Sequence, residues 1–331
     1  MPPSTIRLCL FALLAAIRAC PAGEAASILR EEPWSCYFAG REIALHYLLT
    51  EPGASTARVT WSLAVEDQVV RRGESAVTAA PGRLGRLELR LALPEARPGT
   101  VISATVALAA DGGPRLTHPL WIFPEDPLAD RRRALEEMKI VLFDPVGTTA
   151  RVLQQSRVPV RSVRDVSALA ATERGTIVIG EGVSLNQWRT LGRTMIETAA
   201  RGVPVLCLAP AEGSLPMPGL GGAGLPQPSG FFLRQADVIT SFDKRLDTHW
   251  PPDGKATAAA IEVASGRSGI TGEISAGDRG WPWLELTFPA GRTRLVVCGL
   301  AIISKWDAEP TPRYLLVHLL DHVSRSGGQD R

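Results

Sequence analysis

The sequence predicts two architectures in succession: a two-layer all-β sandwich, then an α/β domain built on an open, mostly parallel sheet. Three observations predict this. From Ile43 to Phe123 apolar residues alternate with period two between clusters of turn residues. From Lys139 onward, short continuous apolar runs alternate with helical-period segments. Ahead of both lies a short apolar stretch with a basic start, the mark of a targeting segment rather than of a fold.

Composition sets the outer bounds. The chain has 331 residues, enough for about two domains. Its 36 basic and 34 acidic residues give a net charge of +2, which excludes both an extended basic nucleic-acid footprint and an acidic disordered tail. Lysine occurs only at Lys139, Lys244, Lys255 and Lys305, so arginine supplies most of the positive charge, spread along the chain rather than clustered. Five cysteines are too few and too scattered for a disulfide scaffold or a zinc ribbon.

Residues 1–26 read as an export signal. Arg7 supplies the basic start, and Leu8 to Ile17 is apolar but too short to span a bilayer. Ala22, Gly23, Ala25 and Ala26 offer cleavage after Ala22 or Ala25, which predicts a secreted or periplasmic protein. Ile17-Arg18-Ala19-Cys20 has a lipobox outline, so lipidation at Cys20 is the alternative. No later segment has the eighteen consecutive apolar residues of a membrane span. After cleavage Cys36, Cys207 and Cys298 remain, and the latter two sit in apolar runs where a small hydrophobe is expected.

Residues 27–124 carry the sandwich. Ile43, Leu45, Tyr47 and Leu49 share one face, and Glu51-Pro52-Gly53 breaks the run. Val59, Trp61, Leu63 and Val65 share the next, closed by Glu66-Asp67, with Trp61 expected in the core. Leu87 to Leu93, Val101 to Leu108 and Leu116 to Phe123 follow, separated by Pro98-Gly99 and Asp111-Gly112-Gly113-Pro114. Short strands at this spacing predict an immunoglobulin-like sandwich, one without the inter-sheet disulfide because Cys36 lacks a partner. Residues 125–136, with Arg131-Arg132-Arg133, read as a charged linker or short helix start.

Residues 137–326 carry the α/β domain, and 327–331 a disordered tail. Ile140 to Phe143, Val158 to Val163, Thr176 to Ile179 and Val203 to Leu208 read as successive strands. Helices are expected at Thr148 to Gln155, Ser167 to Glu173 and Leu185 to Ala200, the last N-capped by Ser184. Ligands on such sheets collect beyond the strands' carboxyl ends: Asp144, Gly180-Glu181-Gly182 and Ala209 to Gly213. Ala209 to Gly230 reads as a flexible surface loop. Its Gly219-Leu220-Gly221-Gly222 lacks the strand, helix and lysine context of a phosphate cradle. Pro282 to Phe288 and Leu295 to Cys298 read as a β-hairpin, and Glu309-Pro310 opens a final helix.

Taken together, Lys139 to Pro145, Thr176 to Gly182, Gly202 to Pro210 and Gly291 to Val323 resemble the class I glutamine amidotransferase-like fold, a flavodoxin-like open sheet. The form resembled is the non-catalytic one of secreted bacterial proteins, which in some accompanies sandwich domains of family 2 glycoside hydrolases. Residues 211–280 match it only loosely. An active family member implies a cysteine nucleophile on a tight elbow after the strand Val203 to Leu208, with a downstream His and Glu. Here Cys207 falls within the strand and Leu208-Ala209-Pro210 follows, a departure that implies loss of catalysis. His318 and His322 share a helix face, but HExxH is absent and no neighbouring carboxylate is expected.

The candidate ligand-binding residues are Glu181, Asp243, Asp247, His249, Trp250, Trp281 and Trp283. Asp243 and Asp247, spaced i, i+4, would share a helix face and could work as a glycosidase pair, or simply face solvent. The tryptophans could stack on sugar rings or pack a domain interface. The expected function is an exported non-catalytic binding or accessory protein with a carbohydrate or envelope-protein partner. A glycan hydrolase using these carboxylates is the alternative. No metal, cofactor or nucleic acid is expected.

Overall fold

The structure, a computed structural model, describes residues 27–50, 55–79, 84–111, 113–216, 224–265, 272–277 and 279–325. The expected export signal 1–26, the Gly219-Leu220-Gly221-Gly222 run and the 327–331 tail lie outside the described residues. The described chain is mostly β, with mixed sheets and few helices.

Eight strands come first: β1 (Ser27–Arg30), β2 (Cys36–Phe38), β3 (Glu42–Thr50), β4 (Ser55–Val65), β5 (Gln68–Ala79), β6 (Gly85–Ala92), β7 (Ile102–Ala110) and β8 (Arg115–Phe123). They form a three-stranded sheet, β1-β3-β6, and a five-stranded sheet, β2-β8-β7-β4-β5. The sequence reading had no strand at β5. Glu66-Asp67 is the two-residue turn of a β4–β5 hairpin, both residues holding positive φ, the geometry that matches strand twist. Polar β5 is an edge strand, so it carries no apolar alternation to read. Along β6, by contrast, burial alternates strictly, Leu87, Leu89 and Leu91 inward against exposed partners. Trp61 is only half-buried rather than core. It stands opposite Gly73, where an added Cβ would lie 2.5 Å from the indole ring.

Among the described residues the chain forms two compact units, one of residues 27–32, 43–91 and 104–119, the other of 33–42, 92–103 and 120–325. The second contains α1 (Arg132–Met138), β9 (Ile140–Phe143), α2 (Thr148–Gln155), β10 (Val160–Val163), α3 (Val166–Ala170), β11 (Ile177–Ile179), α4 (Leu191–Ala200) and β12 (Val205–Leu208). Then follow β13 (Gly213–Pro216), β14 (Gly230–Arg234), α5 (Val238–Phe242), β15 (Ala260–Ser265), β16 (Gly272–Gly277), β17 (Trp283–Thr287), β18 (Arg294–Cys298) and α6 (Pro310–Ser324).

Its main sheet has seven strands in the order β10-β9-β11-β12-β18-β17-β14. The first five are parallel, whereas β17 runs against both of its neighbours, β18 and β14, so the sheet is mixed rather than uniformly parallel. Successive residues of the central strands serve opposite faces. Leu142, Val178, Leu206 and Val296 pack with Leu315, Leu316, Leu319 and Leu320 of α6. Val141, Ile177, Val205 and Val297 pack with Leu191, Met195, Ile196 and Ala199 of α4. Fully burying each such side chain contributes about 1.5–3 kcal/mol, which is why these strands read as continuous apolar runs.

A second sheet of three strands, β13-β16-β15, corrects the reading of Ala209 to Gly230 as loop, since Gly213–Pro216 pairs with Glu273 to Ala276. Helix α4 begins six residues later than expected. The 184–190 segment is diverted into tertiary bonding, with Leu185 N–H donating to the Glu212 carbonyl at 2.8 Å. Ser184 still accepts the Gln187 N–H, at 3.2 Å.

Candidate functional site

The carboxyl ends of β9 and β11 open a crevice of about 350 Å³, lined by Val146, Thr148, Arg151, Val152, Glu181, Gly182, Ile303 and Ser304. Each neighbour is fixed locally. Asp144 leaves β9 and accepts the Gly147 N–H at 3.0 Å and the Ala150 N–H at 2.7 Å, capping α2 from three residues upstream. Gly180 permits the close approach: a Cβ there would lie 2.7 Å from Asp144 Oδ1. Thr149 receives the Glu181 N–H on its hydroxyl at 2.9 Å.

Glu181 is 8% exposed, and both carboxylate oxygens are engaged. Oε2 accepts the Ile303 N–H at 2.6 Å and Oε1 the Ser304 N–H at 3.0 Å. Burial raises its pKa, against the opposing pull of the Ser304 side chain and the two amides. Glu181 therefore ties the segment before α6 to the end of β11. Arg151 is exposed on the crevice wall.

The other predicted residues lie elsewhere. Helix α5 ends at Phe242, and Asp243 follows it in extended conformation, so Asp243 and Asp247 do not share a helix face. Asp243 is held by Arg245, with Nη2 to Oδ2 at 2.7 Å and Nε to Oδ1 at 2.9 Å. Burial works to raise the Asp243 pKa, but those bonds win and hold it below the usual carboxylate range. Asp247 Oδ2 accepts the Ser35 and Cys36 N–H groups at 2.6 and 2.7 Å. Its backbone carbonyl accepts the Trp250 indole N–H at 2.8 Å. Among the described residues, no hydrogen bond or ion pair joins Glu181 to Asp243 or Asp247.

Of the tryptophans, Trp250 is 0% and Trp283 1% exposed, so both are core and neither presents a stacking face. Trp281, 38% exposed, is the one that does. His249 is exposed and lies 3.1 Å from the Thr248 hydroxyl.

Cys207 and Cys298 are fully buried in neighbouring strands, and burial pushes each thiol up to about 12, far from nucleophilic use. Cys207 stands beside Val297 and Cys298 beside Leu208, which puts the two sulfurs on opposite faces of the sheet. His322 corrects the expectation that α6 lacks a carboxylate neighbour: its Nε2 lies 3.0 Å from Glu285 Oε2, and Arg294 Nε is 3.2 Å from Oε1. Sequence reasoning missed Glu285 because it reaches α6 from β17, through sheet pairing and not sequence proximity. It also missed Glu309, read only as a helix start, which proves to be 1% exposed beside Asp247.

Among the described residues, no group of three or more His, Cys, Asp or Glu side chains could hold a metal ion. No helix among them is long and apolar enough to cross a membrane.

No protein-family model matches the chain. No curated protein matches it either. Similar solved structures include a cycloisomaltooligosaccharide glucanotransferase from Paenibacillus sp., 11% identical, covering 76% of this chain and 34% of that one at TM-score 0.30. A family 123 glycoside hydrolase from Clostridium perfringens is 8% identical, covering 61% of this chain and 53% of that one at TM-score 0.24. A conjugative transposon lipoprotein from Bacteroides eggerthii is 10% identical, covering 30% of this chain and 98% of that one at TM-score 0.19. This chain thus spans between a third and about half of the two carbohydrate-active proteins. Likenesses this remote decide neither the fold nor the chemistry here.

Proposed function

We propose that the chain is an exported, non-catalytic binding or accessory protein associated with carbohydrate or cell-envelope processes. In this reading residues 27–124 are an immunoglobulin-like sandwich and 137–326 a non-catalytic class I glutamine amidotransferase-like domain of flavodoxin-like order. Five parallel strands in the main sheet support that assignment. The observation that carries the functional reading is the fate of the carboxylates. Glu181 and Asp243 spend both carboxylate oxygens, and Asp247 one, on protein donors, and Cys207, nearest the nucleophile position, is a buried neutral thiol. What remains for a ligand is the crevice with Arg151 on its wall, and the exposed ring of Trp281.

A glycan array on the mature chain, paired with an assay for released sugars, tests this. Binding without turnover is expected, weakened about tenfold or more by Arg151→Ala through loss of a charged hydrogen bond. The mass of the mature N-terminus tests export: cleavage after Ala22 or Ala25 is expected, a lipid adduct on Cys20 marks the lipoprotein alternative, and an unprocessed N-terminus is the opposing result.

One observation favours glycan hydrolysis as the second reading. Glu181 lies in the crevice with a raised pKa, as a general acid requires. Sugar release by the wild-type chain, abolished in Glu181→Gln, would establish that reading and defeat the first.

A further inference from the structure

Glu309 occupies the position before α6 where a Ser, Thr, Asp or Asn commonly caps the helix, yet it makes no cap bond. It is 1% exposed, and neither carboxyl oxygen has a hydrogen-bond partner among the described residues. It faces Asp247, which holds the Ser35 and Cys36 amides on one oxygen. Around that contact, Asp247 N–H donates to the Thr311 hydroxyl at 3.2 Å and Cys36 Sγ donates to the Arg245 carbonyl at 3.0 Å. These bonds fasten the start of β2 to the 243–250 turn and the first turn of α6.

The charged and titratable groups facing Glu309 are Asp247 from the 243–250 turn, Cys36 from β2 and Lys305 from the segment before α6. The Lys305 ammonium is already engaged by Asp253 at 2.5 Å and by the Lys255 and Trp250 carbonyls at 2.6 and 3.3 Å. Two buried carboxyls in mutual contact do not both ionise without a dedicated cation. Two amide donors support a charge on Asp247, whereas Glu309 has no backbone donor and only the opposing pull of the Thr311 hydroxyl and the Lys305 charge, so the charge rests on Asp247 and the proton on Glu309.

We propose that Asp247 and Glu309 form a one-proton clip that holds the Ser35–Cys36 backbone closed and releases it when that proton leaves for solvent. Loss of the proton sets a second negative charge against Asp247. The contact that yields is the one between Asp247 and the two amides, and its opening exposes the Cys36 thiol. The clip is independent of whatever the crevice binds.

Hydrogen exchange of the full chain from pH 5 to 9 tests this, with each amide's rate divided by its intrinsic rate at that pH. Protection at Ser35 and Cys36 is expected to fall at least tenfold in the wild type, and no more steeply than tenfold per pH unit, since one proton is linked. Protection at Leu206 and Cys207 in β12 stays level, which separates local opening from global unfolding. Glu309→Gln and Glu309→Met have no proton to lose, and both give flat profiles at Ser35 and Cys36. A flat wild-type profile overturns the clip without recourse to any variant. So does a slope retained in either variant, or a parallel fall in β12.

Discussion

Two buried glutamates of the second unit, Glu181 and Glu309, differ in what surrounds them more than in how deeply they lie. Burial raises the pKa of both. Glu181 meets two backbone N–H groups, one per oxygen, whereas Glu309 meets no backbone donor, only the pull of the Thr311 hydroxyl, and a second acid. The comparison separates desolvation, which acts on every buried carboxyl, from the local donor set, which decides whether the ionised form is tolerated. Glu181 serves as an acceptor that organises a turn, and Glu309 as a store for one proton.

The largest effect is expected where the acceptor serves two donors at once. Asp247→Ala strands the Ser35 and Cys36 amides, and a loss of about 2–4 kcal/mol in urea denaturation is expected from two buried unpaired donors. Next comes one substitution made at both glutamates. Glu181→Gln turns an amide NH2 toward the Ile303 or Ser304 N–H, donor against donor, and costs about 1–3 kcal/mol. Glu309→Gln meets no backbone donor and acts with the opposite sign. Because the folded-state pKa of Glu309 lies above its unfolded value, the unfolded chain gives up that proton first. Wild-type stability therefore falls as pH rises above the ordinary carboxylate range, until the folded-state pKa is passed. Glu309→Gln removes that contribution, leaving a shallower pH slope and a higher urea midpoint than wild type at pH 8. A Glu309→Gln variant less stable than wild type at pH 8 would dissolve the contrast between the two sites.

The smallest effect belongs to the half-exposed pair. Arg245→Ala should cost under about 1 kcal/mol after solvent screening. Asp243 has a depressed folded-state pKa despite its burial, so its contribution is present above the unfolded carboxylate pKa and lost on acidification. Urea midpoints at pH 7 and pH 3 check this: the difference between wild type and variant should narrow at the lower pH.

Legibility in the sequence followed burial and locality. Ile140–Phe143, Ile177–Ile179 and Val205–Leu208 are buried throughout, and their unbroken apolar runs announce them. Pro310 at the first position of α6 announces that helix equally well. Strands β5, β13 and β14 carry no such signal: β5 is a polar edge strand, and β13 and β14 have mixed burial and partners far along the chain. For the site, the carboxyl-end rule located Glu181 from strand order alone. The i, i+4 spacing of Asp243 and Asp247 misled because α5 stops at Phe242. Glu309 carried no signal at all, because its character arises from Asp247, sixty-two residues away in the sequence.

Strand β18 lies inside the main sheet, between β12 and β17, but comes last among its strands, its Leu295 pairing with Val205. Until residues 294–298 have left the ribosome, β12 has a bare hydrogen-bonding edge flanked by Val205, Leu206, Cys207 and Leu208. Nascent chains in that state offer a sticky template to one another. Closure of the sheet is thus a late, long-range event, and slow by topology.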